Sequence, residues 1–264
     1  MKHAVCMPNV GPTNELVELA RLADGEGWDG VFLWDHLQLD PSQRLEVHDP
    51  WVLLGAMASV TNKVRLGTMV TPLPRRRPWV VAKHVITLDH LSGGRAIFGV
   101  GLGNPIEADF VPFAEPVDSR TRAQLLDEGL SVLTQLWTGE HILHVGQHFS
   151  IDAQFRPAAV QRPRPPIWVA SSYPRQSGLD RALQYDGIVQ YVQPDGAPIQ
   201  PEFVAQLVEA LEAEADFEIV VRRADGVPVD EYADAGATWG LISEWPREGH
   251  IERLKQRILA GPLA

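Results

Sequence analysis

The stretch "GWDGVFLWDHLQ", Gly27 to Gln38, holds a short apolar run, Val31-Phe32-Leu33, that passes without a break into Trp34, Asp35 and His36. Glycine and proline would end a strand more simply than an aspartate and a histidine. The pattern makes sense if this strand is one of several that present polar groups at the same end. Other Val/Ile-rich runs of similar length alternate with longer segments of helical period, the mark of a parallel sheet covered by helices. The expected strands are His3 to Met7, Gly30 to Leu33, Val64 to Val70, Ala96 to Val100, Ile167 to Ala170, Gly187 to Val189, Phe217 to Val221 and Thr238 to Ile242. Eight parallel strands close an α/β (β/α)8 TIM barrel, and the 264 residues lie near the ~250 typical of that fold. A single domain over residues 1–264 follows.

The residues just past each strand test the idea. They are Pro8 and Asn9; Asp35 and His36; Thr71; Gly101 to Asn104; Ser171 and Ser172; Gln190 and Tyr191; Arg222 and Arg223; and Ser243, Glu244 and Trp245. The tips are polar while the strand bodies are not, as expected where chemistry collects at the carboxyl ends of barrel strands. Between strands, Leu126, Leu130, Leu133 and Trp137 line one face of a helix over Arg122 to Trp137, which Gly139 then ends. The long departure from the rhythm, Gly101 to Pro166, reads as an insertion after strand four. It holds that helix and a hairpin, "HILHVGQHFSI", turning at Gly146 and Gln147.

Composition narrows the function. Lys plus Arg number 23 against 34 Asp plus Glu, a formal charge of −11, which disfavours nucleic acid and anionic membranes. Cys6 is the one cysteine, so neither an internal disulfide nor a thiolate metal cluster can form. No apolar run approaches the ~20 residues of a membrane span, and Pro8 interrupts any signal-peptide core. A soluble, cytoplasmic protein acting on a small-molecule substrate is expected.

Several constellations invite chemical readings. His36 suits proton transfer, since an imidazole both gives and accepts protons near neutrality; the alternative is that it only orients a loop. Asp35 lies on the opposite pleat face and could be structural. Gly99, Gly101 and Gly103 do not form the dinucleotide fingerprint, but glycines at a strand tip let a backbone lie against a planar ligand. Arg75, Arg76 and Arg77 are read as an anchor for an anionic tail. "SSYPRQSG", Ser171 to Gly178, offers hydroxyls, backbone N–H groups, Arg175 and a helix start to a phosphate. His141, His144 and His148 read as exposed, with no acidic partner nearby, and His84 and His90 as packing or capping residues. Trp34 could wall an aromatic ligand or fill the barrel mouth.

The segments "GWDGVFLWDHL", "VRLGTMVTPLPRRRPWVVAKHVITLDHLSGGRAIFGVGLG", "LLDEGLSVLTQLWTGEHILHVGQHF", "QRPRPPIWVASS" and "RALQYDGI" together resemble the luciferase-like class of flavin- and deazaflavin-dependent oxidoreductases and monooxygenases. They cover most of residues 1–192, and the likeness fades over the last seventy or so. The resemblance implies a cofactor, FMN or coenzyme F-420, lying in the barrel mouth. Carried onto this sequence, it places the cofactor against Thr68, Met69 and Val70, against Gly101, Gly103 and Asn104, and against Ser171, Ser172, Arg175 and Gly178. It implies a non-prolyl cis peptide between Met69 and Val70, and a catalytic role for His36. Asn104 stands where deazaflavin-dependent sugar-phosphate dehydrogenases carry a glutamate, which argues against the same substrate. Relatives of this class often pair, so a homodimer is an expectation. The rival readings are a non-catalytic flavin-binding barrel and a metal-dependent barrel hydrolase using Asp35, His36, His48 and Asp49.

Overall fold

The computed structural model describes residues 1–212 and 214–263. Its strands are β1 (Lys2–Met7), β2 (Gly30–Leu33), β3 (Arg65–Pro72), β4 (Ala96–Gly101), β5 (His141–Val145), β6 (Ser150–Gln154), β7 (Ile167–Ala170), β8 (Gly187–Gln190), β9 (Glu218–Arg222) and β10 (Trp239–Ser243). All but β5 and β6 join in one closed parallel barrel in the order β1-β10-β9-β8-β7-β4-β3-β2. The helices α1 (Thr13–Gly25), α2 (Pro50–Val60), α3 (Pro78–Ser92), α4 (Ile106–Asp109), α5 (Ser119–Leu136), α6 (Gln176–Ala182), α7 (Pro201–Leu211), α8 (Val229–Asp234) and α9 (His250–Ala260) occupy the connections. The expected barrel is therefore present.

The differences from the sequence reading are local. β3 continues two residues past Val70 to Pro72, because a register shift between Thr68 and Thr71 lets the strand bulge and then resume pairing with β4. The helix expected over Arg122 to Trp137 starts earlier, at Ser119, because the Asp118 carboxylate accepts from the Thr121 N–H at 2.8 Å. It ends at Leu136, before Gly139 is reached. The hairpin does not turn on Gly146 and Gln147 alone. Val145 pairs with Ser150, and the Gly146 N–H donates to the Phe149 carbonyl at 2.9 Å, so residues 146–149 form the loop.

The barrel interior is closed by aromatic rings. Phe32, Trp168 and Trp239 stand with centroids 5.4, 5.1 and 6.2 Å apart, in tilted and edge-on arrangements. Such large rings need empty neighbouring positions. A Cβ on Gly30 would come within 2.8 Å of the Phe32 ring, and one on Gly187 within 2.8 Å of Trp168. Above the rings, Cys6, Met69 and Leu241 continue the buried interior, and Trp34, Val70, Ala170 and Tyr191 border it as partly buried side chains. The second, larger apolar cluster lies outside the strands, between sheet and helices.

Carboxylates fasten the chain at the opposite, amino-terminal end. Asp24 accepts from the N–H groups of Asn62, Lys63 and Val64 just before β3. Asp29 accepts from His3, Asp89 from Val160 and Gln161, and Asp186 from Ile167. Each satisfies backbone donors that the strand ladder leaves free.

Gly99 faces the bulge of β3 so closely that an added Cβ would lie 2.1 Å from the Thr68 carbonyl oxygen. Backbone cannot step aside as a side chain can, so Gly99→Ala is expected to cost at least about 2 kcal/mol in urea unfolding. Gly25, with nothing within 4 Å of its added Cβ, is the control. Gly25→Ala is expected to be neutral or stabilising by about 0.5–1 kcal/mol. Equal effects of the two would contradict this reading of the β3–β4 contact.

Candidate functional site

β2 ends at Leu33, and the next three residues do different work. Trp34 packs on Trp245 at 5.3 Å and edge-on to His36 at 5.8 Å. Asp35 turns to the outer side of the barrel wall, into a buried position where Thr71 Oγ1 donates to it at 2.8 Å, Arg76 at 2.6 Å and Arg75 at 3.1 Å. Arg75 also donates to the Asp35 backbone carbonyl at 2.6 Å. Asp35 is thus the anchor of the loop, the structural alternative left open by the sequence.

The same contacts correct the reading of the arginine run. Arg75 has 2% and Arg76 14% of its side chain exposed, and both face Asp35, so neither is a free anchor for an anionic tail. Arg77 instead lies over the Trp79 ring. Burial lowers the pKa of the Arg75 guanidinium, while the carboxylates of Asp35 and Asp109 oppose that shift.

His36 has a partner that the sequence did not reveal. Its Nδ1 lies 2.6 Å from Asp109 Oδ2, and Asp109 Oδ1 accepts from the N–H groups of Leu37 at 2.9 Å and Gln38 at 3.1 Å. Asp109 is buried and sits at the end of α4, the short helix that opens the insertion after β4. Burial alone would raise its pKa, but the bond and charge of His36 and the two N–H donors outweigh it and hold the carboxyl below its usual range. With Nδ1–H committed to Asp109, Nε2 of a neutral His36 remains as an acceptor. Asn9, at the end of β1, supports the loop by donating to the carbonyls of His36 at 3.1 Å and His48 at 2.6 Å.

The other expected site residues fall into three groups. Met69 and Val70 are joined by a cis peptide bond, Met69 buried within the barrel and Val70 half-buried at its mouth. The Tyr191 hydroxyl donates to the Met69 carbonyl of that bond and lies 3.4 Å from Cys6 Sγ. Thr68 is fully buried and donates to the Gly99 carbonyl at 3.0 Å, so its side chain shapes the bulge. Gly101 is buried where a Cβ would meet Val70 and Ala170 at 3.0 and 3.1 Å, leaving a flat wall. Gly103 turns with φ 89° against Phe110 and Pro72, and Asn104 is exposed before a cis Pro105. In the loop after β7, Ser171 Oγ is buried without a partner, and a Cβ on Gly178 would fall 2.2 Å from it. Ser172 and Arg175 are exposed.

An unpartnered hydroxyl, a glycine cradle and a flat wall beside the bulge suit a planar ring with a phosphate-bearing tail. Burial pushes the Cys6 thiol up to about 11 and raises the Tyr191 phenol as well, so both stay neutral.

The residues of the metal-hydrolase reading are otherwise engaged. Asp49 caps α2 through the N–H groups of Trp51 and Val52, and the His48 ring bonds to the Gly11 carbonyl. Among the described residues, no three His, Cys, Asp or Glu side chains are grouped to hold a metal ion. Two of the hairpin histidines do have acidic partners: His144 Nε2 lies 3.2 Å from Glu128, and His141 Nε2 lies 2.7 Å from Asp152. His144 and His148 are also half-buried, because Glu128 of α5 reaches under the loop. His84 stacks on Trp51, and His90 bonds to the Ala158 carbonyl.

A model of the luciferase-like monooxygenase family matches residues 2–224. The chain belongs to this family. It is 35% identical over 173 residues to an F-420-dependent glucose-6-phosphate dehydrogenase from Microbacterium testaceum, a match over 64% of this luciferase-like chain and 50% of that protein. The chain thus spans about half the length of such relatives. Its fold is similar to the F-420-dependent tetrahydromethanopterin reductase of Methanopyrus kandleri, with TM-score 0.79 and 15% identity over 98% of each chain. A monooxygenase from Streptomyces bottropensis aligns with TM-score 0.68 and 23% identity, over all of this chain and 80% of the other. Among the described residues, no helix is long and apolar enough to cross a membrane.

A carboxyl group whose pKa is lowered by folding adds stability above its unfolded value and loses it as pH falls through the folded one. Asp109→Asn is therefore expected to destabilise the protein by about 2–3 kcal/mol at neutral pH. The gap from the wild type should close as urea melts are repeated at pH values below the usual carboxylate range. A gap independent of pH would mean that the charge on Asp109 contributes nothing.

Proposed function

We propose that this luciferase-like chain is an oxidoreductase that holds coenzyme F-420 non-covalently in its mouth and exchanges a hydride with a small organic substrate. The observation that carries this reading is the His36–Asp109 pair, which presents Nε2 as a proton acceptor beside the Met69–Val70 bulge. When bound, the deazaflavin supplies or accepts the hydride. The protein binds, orients and moves the proton. Val70 and Gly101 would support the ring, with Thr68 shaping the bulge and Met69 beneath it. Ser171, with Ser172, Arg175 and Gly178, would meet the phosphate. Gly103 and Asn104 would border the ring without exchanging a proton. During oxidation of an alcohol, His36 takes the hydroxyl proton at Nε2, and the Asp109 carboxylate stabilises the imidazolium that forms.

The names of the relatives support coenzyme F-420, while the family description and the Streptomyces neighbour support a second reading, an FMN-dependent monooxygenase. Asn104 argues against glucose 6-phosphate as the substrate, since its amide cannot replace a carboxylate in proton exchange. The chain works as one domain over residues 1–264, in the cytoplasm, without nucleic acid or membrane partners, in keeping with its charge of −11. Pairing as a homodimer is supported by exposed Val52 of α2 and Leu91 of α3, apolar side chains on the barrel's flank.

Titration of the purified protein with coenzyme F-420 and with FMN, followed by absorbance and fluorescence, tests the reading. Saturable binding of coenzyme F-420 is expected, and saturation by FMN alone would favour the monooxygenase. His36→Ala should leave the cofactor Kd within about threefold, yet slow single-turnover hydride transfer from a reactive alcohol by about 10²–10⁴-fold. Binding without turnover of any alcohol or carbonyl compound would leave the non-catalytic flavin-binding barrel as the answer.

A further inference from the structure

Arg222 ends β9, in register with Leu241 of β10, and Leu241 belongs to the barrel interior. Parallel neighbours in register share a face, so the Arg222 side chain rises from the inner wall. Going round the barrel, β9 stands four places from β3, which puts Arg222 opposite the Met69–Val70 bulge.

Three other arginines near this end are occupied, and Arg175, in the loop after β7, is exposed to solvent. Arg75 and Arg76 face Asp35, and Arg122 donates to the carbonyls of Leu102 and Gly103. Arg222 is half-buried, and among the described residues it makes neither an ion pair nor a side-chain hydrogen bond. Its charge reaches the floor of the mouth, where it counteracts the effect of burial on both Cys6 and Tyr191.

A second group points the same way. Ser243 ends β10 in register with Cys6, is 8% exposed, and has a buried Oγ without a hydrogen-bond partner. A half-buried cation without an ion pair and a buried hydroxyl without a hydrogen-bond partner, on adjacent strands, leave donors that an incoming acceptor would satisfy.

We propose that Arg222 and Ser243 form an oxoanion subsite that holds a carboxylate or phosphate group of the substrate against the wall facing the bulge. This rests on the mouth being the cofactor and substrate site. The guanidinium offers a two-point fork to two anion oxygens, and the hydroxyl donates to one of them. The anion would then sit across the mouth from His36, whose strand β2 adjoins β3, and the reacting carbon would lie between the two. Arg222 thereby becomes a specificity-determining residue that selects acidic substrates.

The subsite is tested without turnover. The cofactor-free wild type is titrated with inorganic phosphate and with acetate, following the Ser243 amide and the Arg222 Nε–H by NMR. Saturable shifts are expected with one or both anions. Arg222→Gln should weaken the response at least tenfold, Arg222→Lys should keep part of it, and Ser243→Ala should weaken it less than Arg222→Gln. Thermal melts confirm that each variant is folded. Repeating the titration on cofactor-saturated protein separates the two sources of an anion. Retained binding supports a substrate group, while loss of phosphate binding together with weaker cofactor binding by Arg222→Gln would assign the cation to the cofactor and overturn the proposal. Shifts that do not respond to either Arg222 variant, or no shifts in the wild type, would also overturn it. Failure of cofactor binding with intact phosphate binding would instead count against the oxidoreductase reading.

Discussion

Three buried charged groups, Asp35, Arg75 and Asp109, and the half-buried His36 form one chain of contacts at the carboxyl end of the barrel. Taking any one of them out of water alone would be strongly unfavourable, and the set is tolerable only when all its members are in place together. That condition ties three separate pieces of backbone. Asp35 and His36 follow β2, Arg75 follows β3, and Asp109 arrives on the insertion after β4. Thr71, just past the bulge, donates to Asp35, and its Oγ1 lies 3.0 Å from that of Thr68, so the polar chain reaches the strand that carries the cis peptide. The orientation of the imidazole and the shape of the bulge are therefore set by one network.

The floor beneath it follows the opposite principle. Cys6, Met69 and Leu241 cover the aromatic rings of the interior, and the two ionisable groups at that level, Cys6 and Tyr191, are held neutral by burial. A mouth with an uncharged floor is a low-dielectric place, where a fixed cation or a developing imidazolium has more influence than in water. Polar function and apolar support are thus separated by depth.

How much of this was legible depends on the range of the interaction. The run Val31-Phe32-Leu33 and the segment Ile167 to Ala170 declared themselves as strands because apolar residues in a short run need no distant partner to be read. His36 was legible at the tip of β2 for the same reason. Asp109 was not, since it lies 73 residues further on in an irregular insertion, and nothing local distinguishes it from Glu107. The arginine run misled for a related cause: its charges are answered by Asp35, 40 residues earlier, and only folding shows the pairing. Likewise, the polar tip residues Arg222 and Arg223 looked equivalent, but Arg222 shares the inner face with Leu241, while Arg223 is buried on the outer face against Gly240 and reaches the Pro262 carbonyl.

The plug of Phe32, Trp168 and Trp239 has a kinetic consequence. With the barrel filled below by these rings, the far end offers no route through, so anything that enters at the carboxyl end must leave by the same end. Arrival and departure then compete for one opening.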